Sequence, residues 1–297
     1  MERSPYLAHS CNETRMNGTS SLVTLILVLP AAVRAGEADV KSIVQRSVEA
    51  NQADWRAAPE YSYFERDREN GGTKTYEVLM ILGSPYQRRL AINEKPLSLK
   101  DQKTEQQKLE EAIASRRSES AHERQERIAK YEQERKRDHL LMEQLTNAFE
   151  FKLLGRQPRG PYDTYELQAT PRPGYQPPNT ETEVLTGMQG KLWVDTRSFH
   201  WVRVEAQVVR TVTIAGFLAR VEPGTRFELE KMPVDDAMWL PNHFAMQSRT
   251  RILLFFTYRT EEDETYFNYR KIEPLKTGAG AEGQAAPATH FVTPESP

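Results

Sequence analysis

Three residues of the kinds found in catalytic triads lie within six positions of one another. They are Asp195, Ser198 and His200, in the stretch GKLWVDTRSFHWVRVEAQVV at 190–209. A nucleophile, a base and an orienting acid act together only when the imidazole lies between the other two groups. An esterase is therefore one interpretation of this stretch, and it predicts that activity is lost when Ser198 or His200 is changed.

The hydrophobic pattern of the same stretch predicts a β-hairpin. Successive side chains of a strand point to opposite faces, so pairing must bring the apolar residues of both strands to one side. Pairing Leu192 with Val202 and Val194 with His200 achieves this, and it leaves a three-residue loop at 196–198.

That register has a consequence for the three polar residues. It pairs Trp193 with Trp201 on the outer side of the hairpin, directs Asp195 away from His200 and places Ser198 in the turn. The chain also has no G-x-S-x-G nucleophile elbow. The sequence therefore predicts a chain that is not an enzyme and has no catalytic residue.

Other site signals are weak as well. The six histidines form no paired metal spacing, and the single cysteine is Cys11. No phosphate-binding glycine motif is present. The acidic run at 261–264 has the composition of a weak calcium site, but a solvated turn before a strand at Tyr266 explains it better. We therefore predict no metal and no cofactor.

The charge balance argues against one class of partner. The 297 residues include 40 basic and 42 acidic side chains, for a net charge of −2. A nucleic-acid-binding face needs an excess of cations, so we expect no nucleic-acid partner.

The N-terminus predicts export. Residues 22–30 form a short apolar run, and small residues follow up to Ala35. This is typical of a signal peptide over 1–35, with Met16 as an alternative start and cleavage before Gly36. The run is about half the ~20 residues that span a bilayer, so the mature chain is predicted to lack a transmembrane segment. A mature chain without cysteine fits the periplasm.

The spacing of hydrophobic residues divides the rest of the chain into helical, strand-like and unstructured segments. Residues 39–50 predict an amphipathic helix, strand-like segments fill 61–93 and 149–272, and the glycine-rich stretch 276–297 predicts a disordered tail. Short strands joined by turns, without helical crossovers, predict an antiparallel meander. Within them, 183–195 and 242–258 are each predicted to form a single strand. We assign 36–275 to one β domain.

A helical insertion interrupts this domain at 98–147. It contains no proline or glycine, and Ser98 and Ser120 each precede an acid by three residues, which predicts two capped helices with a break near 117–120. Eleven basic and eleven acidic residues interleave along it, as on a solvated surface. We expect the end that carries Met142 and Leu145 to pack on the body and the middle to project.

Two motifs in the strands resemble a known family. These are Gly190-Lys-Leu-Trp-Val-Asp195 leading into His200-Trp-Val-Arg-Val-Glu205, and the later Met238-Trp-Leu-Pro241. Together with the export signal and the first helix, they resemble the lipoprotein localisation factor superfamily, which includes LolA, LolB and related outer-membrane lipoprotein-sorting proteins. The similarity covers about 37–97 and 148–272, and the insertion departs from it.

The resemblance implies an α+β fold: an antiparallel, strongly curved sheet forming an open or half β-barrel, with a covering N-terminal helix. It also implies that acyl chains are carried without covalent chemistry. Several of the predicted strands are apolar on both faces. This pattern is as consistent with a packed core as with a ligand cavity.

The leading hypothesis is an exported lipid- or lipoprotein-binding protein. The predicted cavity residues are Val40, Ile43 and Val44 on the helix and Tyr76, Val78, Met80, Leu192, Val194, Val202, Val204, Phe227 and Leu229 on the sheet. The alternative is a periplasmic interaction or sensor module without lipid transport, which uses the arm 98–147 to contact a periplasmic or membrane protein.

Overall fold

The computed structural model describes residues 39–69, 71–214, 219–252 and 256–272. The predicted signal peptide over 1–35, the alternative start at Met16, Cys11 and the predicted tail at 276–297 lie outside the described residues. In the described part, no helix is both long enough and apolar enough to span a membrane.

The first helix, α1 (Val40–Ala57), begins at Asp39, whose carboxylate accepts the backbone N–H of Lys41 at 3.1 Å. Ile43, Val44 and Ser47 are buried, and so are two polar residues further along the same stripe, Asn51 and Asp54. A helix normally exposes such polar groups, so their burial indicates partners on the sheet.

Thirteen strands are described, and all of their pairings are antiparallel. In chain order they are β1 (Tyr61–Glu69), β2 (Gly72–Ile81), β3 (Ser84–Ile92), β4 (Lys95–Pro96), β5 (Phe149–Arg159), β6 (Tyr162–Pro171), β7 (Met188–Asp195), β8 (Trp201–Val208), β9 (Val212–Ile214), β10 (Ala219–Val221), β11 (Arg226–Pro233), β12 (Trp239–Ile252) and β13 (Phe256–Lys271).

The strands form one curved sheet in the order β4-β3-β2-β1-β13-β12-β11-β8-β7-β6-β5, with β10 pairing with both β12 and β9. Within the described residues β4 and β5 end this order without pairing with each other, so the sheet is unclosed. The predicted antiparallel, unclosed α+β sheet is confirmed.

Three strand predictions are wrong in detail. Residues Glu181–Gly187 form a 3-10 helix, so the strand predicted from Glu183 begins at Met188. The single strand predicted over 242–258 is two strands, because β12 ends at Ile252, β13 begins at Phe256, and these two residues are register partners. The acidic run 261–264 lies within β13 and is not a turn before a strand.

The sheet has an inner face, which we define as the face that carries Leu192 and Val194. The strand register extends this face from Leu192 to Val204 and Leu229, and then through β12 and β13 to Glu65 on β1. Around β8 and β11 the outer face is polar: Arg203 binds Glu205 at 2.7 Å and Glu228 at 2.6 Å, and it also pairs with Glu230.

The insertion forms two long helices and a short one: α2 (Leu99–Ser118), α3 (Ala121–Glu143) and α4 (Leu145–Ala148). The predicted caps are confirmed. Ser98 caps α2 by accepting the Asp101 N–H, and Ser120 and Glu123 form a reciprocal capping box at the start of α3. The predicted break between the helices is also confirmed.

The prediction that the middle of the insertion projects is wrong. Arg116 donates three hydrogen bonds to the carbonyls of Ile81, Ser84 and Pro85 at 2.8–2.9 Å, which joins α2 to the β2–β3 turn. Arg127 of α3 binds the same turn through the Ser84 hydroxyl at 2.6 Å.

The second half of α3 lies against α1. The His139 imidazole stacks on Trp55 with 4.4 Å between ring centroids, and the Arg135 guanidinium lies 4.6 Å from the same indole ring. The packing depends on arginines and aromatic stacking. An apolar stripe is therefore not needed to dock this helix, and for that reason the hydrophobic pattern did not reveal the contact.

The Arg116 contacts generate a prediction. Replacing Arg116 by Met removes three charge-assisted hydrogen bonds and leaves their carbonyls unpaired, so we expect the free energy of unfolding to fall by about 2 kcal/mol. Replacing the exposed neighbour Arg117 by Met serves as the control and should change it by less than about 0.5 kcal/mol. Urea unfolding measures both variants, and equal effects would show that the Arg116 hydrogen bonds do not stabilise the fold.

Candidate functional site

The hairpin that carries Asp195, Ser198 and His200 has a β-bulge. Trp193 pairs with Arg203 and Val194 pairs with Trp201, so Val202 is an extra residue in β8. A bulge of this kind changes the facing of the side chains beyond it, and alternation in the sequence cannot detect it.

Because of this bulge, two sequence predictions are wrong. Trp201 lies on the inner face, in the buried cluster that contains Val194, so it does not form an outer pair with Trp193. Val202 packs with Trp193 and Trp239 in a separate buried cluster. Val202 is therefore not a residue of the inner face, and the predicted pairing of Leu192 with Val202 is replaced by pairing with Val204.

The triad geometry is absent from this hairpin. The Asp195 carboxylate accepts the backbone N–H of Ser198 at 2.7 Å and its hydroxyl at 2.9 Å, so Asp195 holds the turn. The His200 imidazole instead contacts Asp54 of α1, with 3.3 Å between Nε2 and Oδ1. Ser198 and His200 therefore do not form a nucleophile–base pair, although the predicted register that first separated them was wrong.

Asp54 is the centre of a buried polar network. Its carboxylate, in a residue that is 3% exposed, binds the Lys231 ammonium at 2.6 Å and the backbone N–H of Trp239 at 3.1 Å, in addition to His200. Asn51 accepts a second hydrogen bond from Lys231 at 2.7 Å. Burial lowers the pKa of the Lys231 ammonium, and the adjacent Asp54 carboxylate opposes that shift.

This network joins α1 to three strands at once, because Lys231 lies in β11, Trp239 begins β12 and His200 immediately precedes β8. The His200 ring also stacks on Trp239, with 5.5 Å between centroids and 7° between planes. The network therefore positions α1 on the inner face.

The apolar residues of α1 lie beside this network. Ile43 and Val44 belong to a buried cluster with Leu192, Val194 and Trp201. Arg46 of the same helix places its guanidinium 3.5 Å from the centre of the Phe199 ring.

An apolar cleft of about 70 Å³ lies between the inner face and the end of the insertion. The surface exposed inside the cleft is apolar, although Gln189, Lys191 and Glu205 also border it. The side chains of α3 and α4 that line it are Leu141, Met142 and Leu145, and those from the sheet and its connections include Phe149, Phe151, Ala169, Leu185, Met188, Leu192, Trp201, Val204, Ala206 and Phe227.

Apart from Val202, the predicted cavity residues fall into three groups. Leu192, Val204 and Phe227 line the cleft. The residues Ile43, Val44 and Val194 are buried in the adjacent cluster, and Val40 packs against it. By register, Tyr76, Val78, Met80 and Leu229 lie elsewhere on the inner face.

The cleft also contains residues that sequence reasoning missed. The clearest are Phe151, Leu185, Met188 and Trp201. The spacing of Met142 and Leu145 was a usable signal for the helical wall. No signal indicated Leu185, because it was assigned to a strand and lies in a 3-10 helix.

The inner face changes character towards β1 and β13. Tyr63 lies 5.8 Å from Tyr266 and 5.3 Å from Tyr269 between ring centroids, and the Tyr266 hydroxyl donates to Glu264. Burial raises the pKa of Glu65 to about 7, and the nearby Glu264 carboxylate adds to the shift. This end of the inner face is therefore aromatic and acidic.

Among the described residues, no group of three or more His, Cys, Asp or Glu side chains is placed to hold a metal ion.

Solved structures similar to this chain include a LolA superfamily protein from Nitrosomonas europaea, at 12% identity and a TM-score of 0.28, covering 79% of this chain and 94% of that one. An outer membrane lipoprotein-sorting protein domain from Vibrio parahaemolyticus matches at 12% identity and a TM-score of 0.28, covering 80% and 95%. The MucA/MucB complex of Pseudomonas aeruginosa provides a match at 12% identity and a TM-score of 0.24, covering 80% and 100%.

No family model matches the chain, and no curated protein matches it.

The Asp54 network generates a double-mutant prediction. Asp54→Asn leaves the Lys231 ammonium buried without its counter-ion, and we expect a loss of about 3 kcal/mol or more in the free energy of unfolding. Adding Lys231→Met removes the stranded charge, so the double variant should lose less than the sum of the two single variants. The exposed pair Glu60 and Lys271, 3.3 Å apart, is the control cycle, with an expected coupling below about 0.5 kcal/mol. Equal coupling in both cycles would contradict the assigned role of Asp54.

Glu65 generates a pH prediction. Its pKa of about 7 lies above the ordinary value of 4.5, so between these values the folded chain binds the proton more tightly than the unfolded chain. The free energy of unfolding therefore loses this contribution as the pH rises from about 4.5 to about 7. Glu65→Gln should flatten that part of the profile, whereas Glu134→Gln, at an exposed position on α3, should leave it unchanged. An unaltered profile for Glu65→Gln would overturn the assignment.

Proposed function

We propose that this protein is exported and binds the acyl chains of lipids or lipoproteins without covalent chemistry, in the cleft between the inner face and the α3–α4 segment. The observation that carries this proposal is the cleft itself, because the surface exposed inside it is apolar. Each methylene that leaves water for such a wall contributes about 0.8 kcal/mol. The predicted cavity residues that border it, Leu192, Val204 and Phe227, would contact the chain.

The size of the cleft defines what it holds in this conformation. A volume of about 70 Å³ is well below the roughly 300–1,000 Å³ of sites that enclose a whole small ligand. The end of one acyl chain fits, and a longer chain requires that one wall move.

The contacts of the helical wall indicate which part moves. Arg172 holds α4 by donating to the carbonyls of Thr146, Asn147 and Phe149 at 2.9–3.1 Å. By contrast, α3 ends at Glu143, and Gln144 separates it from α4. We therefore place the opening at Leu141 and Met142, beyond the His139–Trp55 stack that holds α3 on α1, while Arg172 keeps α4 in place.

The remaining inner-face residues extend the same proposal. Leu229 lies next to Val204 in register and is half-buried, so a displaced α3 would uncover a path beyond the cleft. Tyr76, Val78 and Met80 lie beyond the acidic end of the face, where Glu65 pairs with Tyr76. A chain that reached them would have to pass a carboxylate, so we place the acyl site at the β5–β8 end.

The second candidate, a module whose segment 98–147 contacts a periplasmic or membrane protein, is favoured by the outer surface of α2. Most side chains of α2 are exposed and polar, although Glu105 and Leu109 are buried. Deleting the insertion cannot separate the two functions, because Leu141 and Met142 belong to the cleft wall. Charge reversal of Glu110 and Glu111 on α2 should abolish partner binding and leave acyl binding intact.

The experiment that tests the acyl site fills the cleft. Ala206→Trp places an indole in it, and we expect the affinity for a fluorescent fatty acid to fall at least tenfold. Gln207→Trp is the matched control, because residue 207 is the next residue of β8 and is exposed on the outer face. Fluorescence titration gives the affinities, and circular dichroism verifies the fold. The smaller Ala206→Leu variant covers the case in which Trp disrupts folding.

A chain-length series sharpens the test. The affinity of the natural protein should rise about fifteenfold for each two added methylenes and then level off at the length that the opened cleft encloses. Equal affinities for both Trp variants, or an affinity that does not depend on chain length, would refute the proposal.

A further inference from the structure

Two arginines face each other on the outer face of the long β12–β13 ribbon. Arg249 of β12 is the direct register partner of Arg259 of β13. Side chains in this relation have Cβ atoms about 5 Å apart, and like charges so placed destabilise the sheet. Both side chains are exposed.

Several other basic groups of the outer face have acidic partners, and Arg226 binds the Gln247 amide oxygen. Further along the same ribbon, Asp263 lies 3.9 Å from Arg68 and 3.4 Å from His243, and Arg203 binds two carboxylates within 2.7 Å. Within the described part of the chain, no ion pair joins Arg249 or Arg259 to a carboxylate. The uncompensated pair therefore points to an anion from outside the chain.

The two guanidinium groups border a polar groove of about 520 Å³. Gly224, Gln247 and Thr260 also line it. Among the described residues of the lining the acidic one is Glu261, which accepts a hydrogen bond from the Gln247 amide at 3.1 Å. Guanidinium groups match the oxygen geometry of phosphate better than ammonium groups do, because each presents a planar fork of N–H donors.

We propose that Arg249 and Arg259 dock the protein on a membrane by binding the phosphate groups of anionic phospholipids. Exposed ion pairs contribute only about 0–1 kcal/mol each, so one free phosphate would be held weakly. A membrane instead presents many phosphates together with a negative surface potential, which attracts each nearby arginine independently.

This inference does not depend on the acyl cleft, which is lined by other strands.

The test is vesicle co-sedimentation of the full chain. Vesicles that contain phosphatidylglycerol should bind the protein, vesicles of phosphatidylcholine alone should bind it much less, and added salt should weaken the binding. The double variant R249Q/R259Q should bind the phosphatidylglycerol vesicles about 25-fold more weakly, at about fivefold for each arginine. The control K103Q/R117Q makes the same change in net charge on exposed residues of α2, and its binding should be unchanged.

Two further measurements make the result decisive. The midpoint of thermal unfolding of R249Q/R259Q in the absence of vesicles should equal or exceed that of the natural protein, because the substitution removes a repulsion. Millimolar inorganic phosphate should displace little protein from the vesicles. Equal binding by the two double variants would overturn the proposal, and full displacement by inorganic phosphate would assign the groove to a free anion.

Discussion

The position of α1 depends on one buried carboxylate. Asp54 holds Lys231 at 2.6 Å, contacts His200 at 3.3 Å and accepts the Trp239 backbone N–H, so a single side chain joins the helix to β11, β12 and the start of β8. A buried ion pair is costly to desolvate and adds little net stability compared with apolar residues of the same volume. Its role here is to fix the position of the helix. The contacts of Asp54 with three strands orient α1 so that Ile43 and Val44 pack against Leu192 and Val194.

The two ends of the inner face differ in chemical character. Near β5–β8 the face is apolar, and the end of α3 leaves a cleft above it. Near β1 and β13, Glu65 and the tyrosine cluster make the face acidic and aromatic. The insertion reaches both ends, because Arg116 and Arg127 hold it to the β2–β3 turn while Met142 and Leu145 line the cleft. A segment that the sequence presents as a solvated arm is thus a structural part of the site.

The sequence predicts those features that depend on local pattern. Ser98 and Ser120 identify the starts of both helices, and alternation identifies Leu192, Val204 and Phe227 as residues of one face. Sequence patterns fail where tertiary contacts or an irregular backbone determine the position of a side chain. The bulge at Val202 places Trp201 on the inner face, whereas simple alternation along β8 predicts the outer face. The arginines that dock α2 and α3 are polar, so these contacts produce no periodic hydrophobic pattern in the sequence. Asp54 is separated from Lys231 by 177 positions, so no local pattern could reveal their pairing.

The central claim is that the apolar cleft receives an acyl chain, and photo-crosslinking tests it most directly. A fatty acid with a diazirine near its methyl end would be irradiated with the protein, and the labelled peptides would be mapped by mass spectrometry. We predict labels within 141–151 and 185–206, at the two walls of the cleft, with competition by unlabelled fatty acid. Labels confined to the outer face, or labels that excess fatty acid does not reduce, would contradict the account.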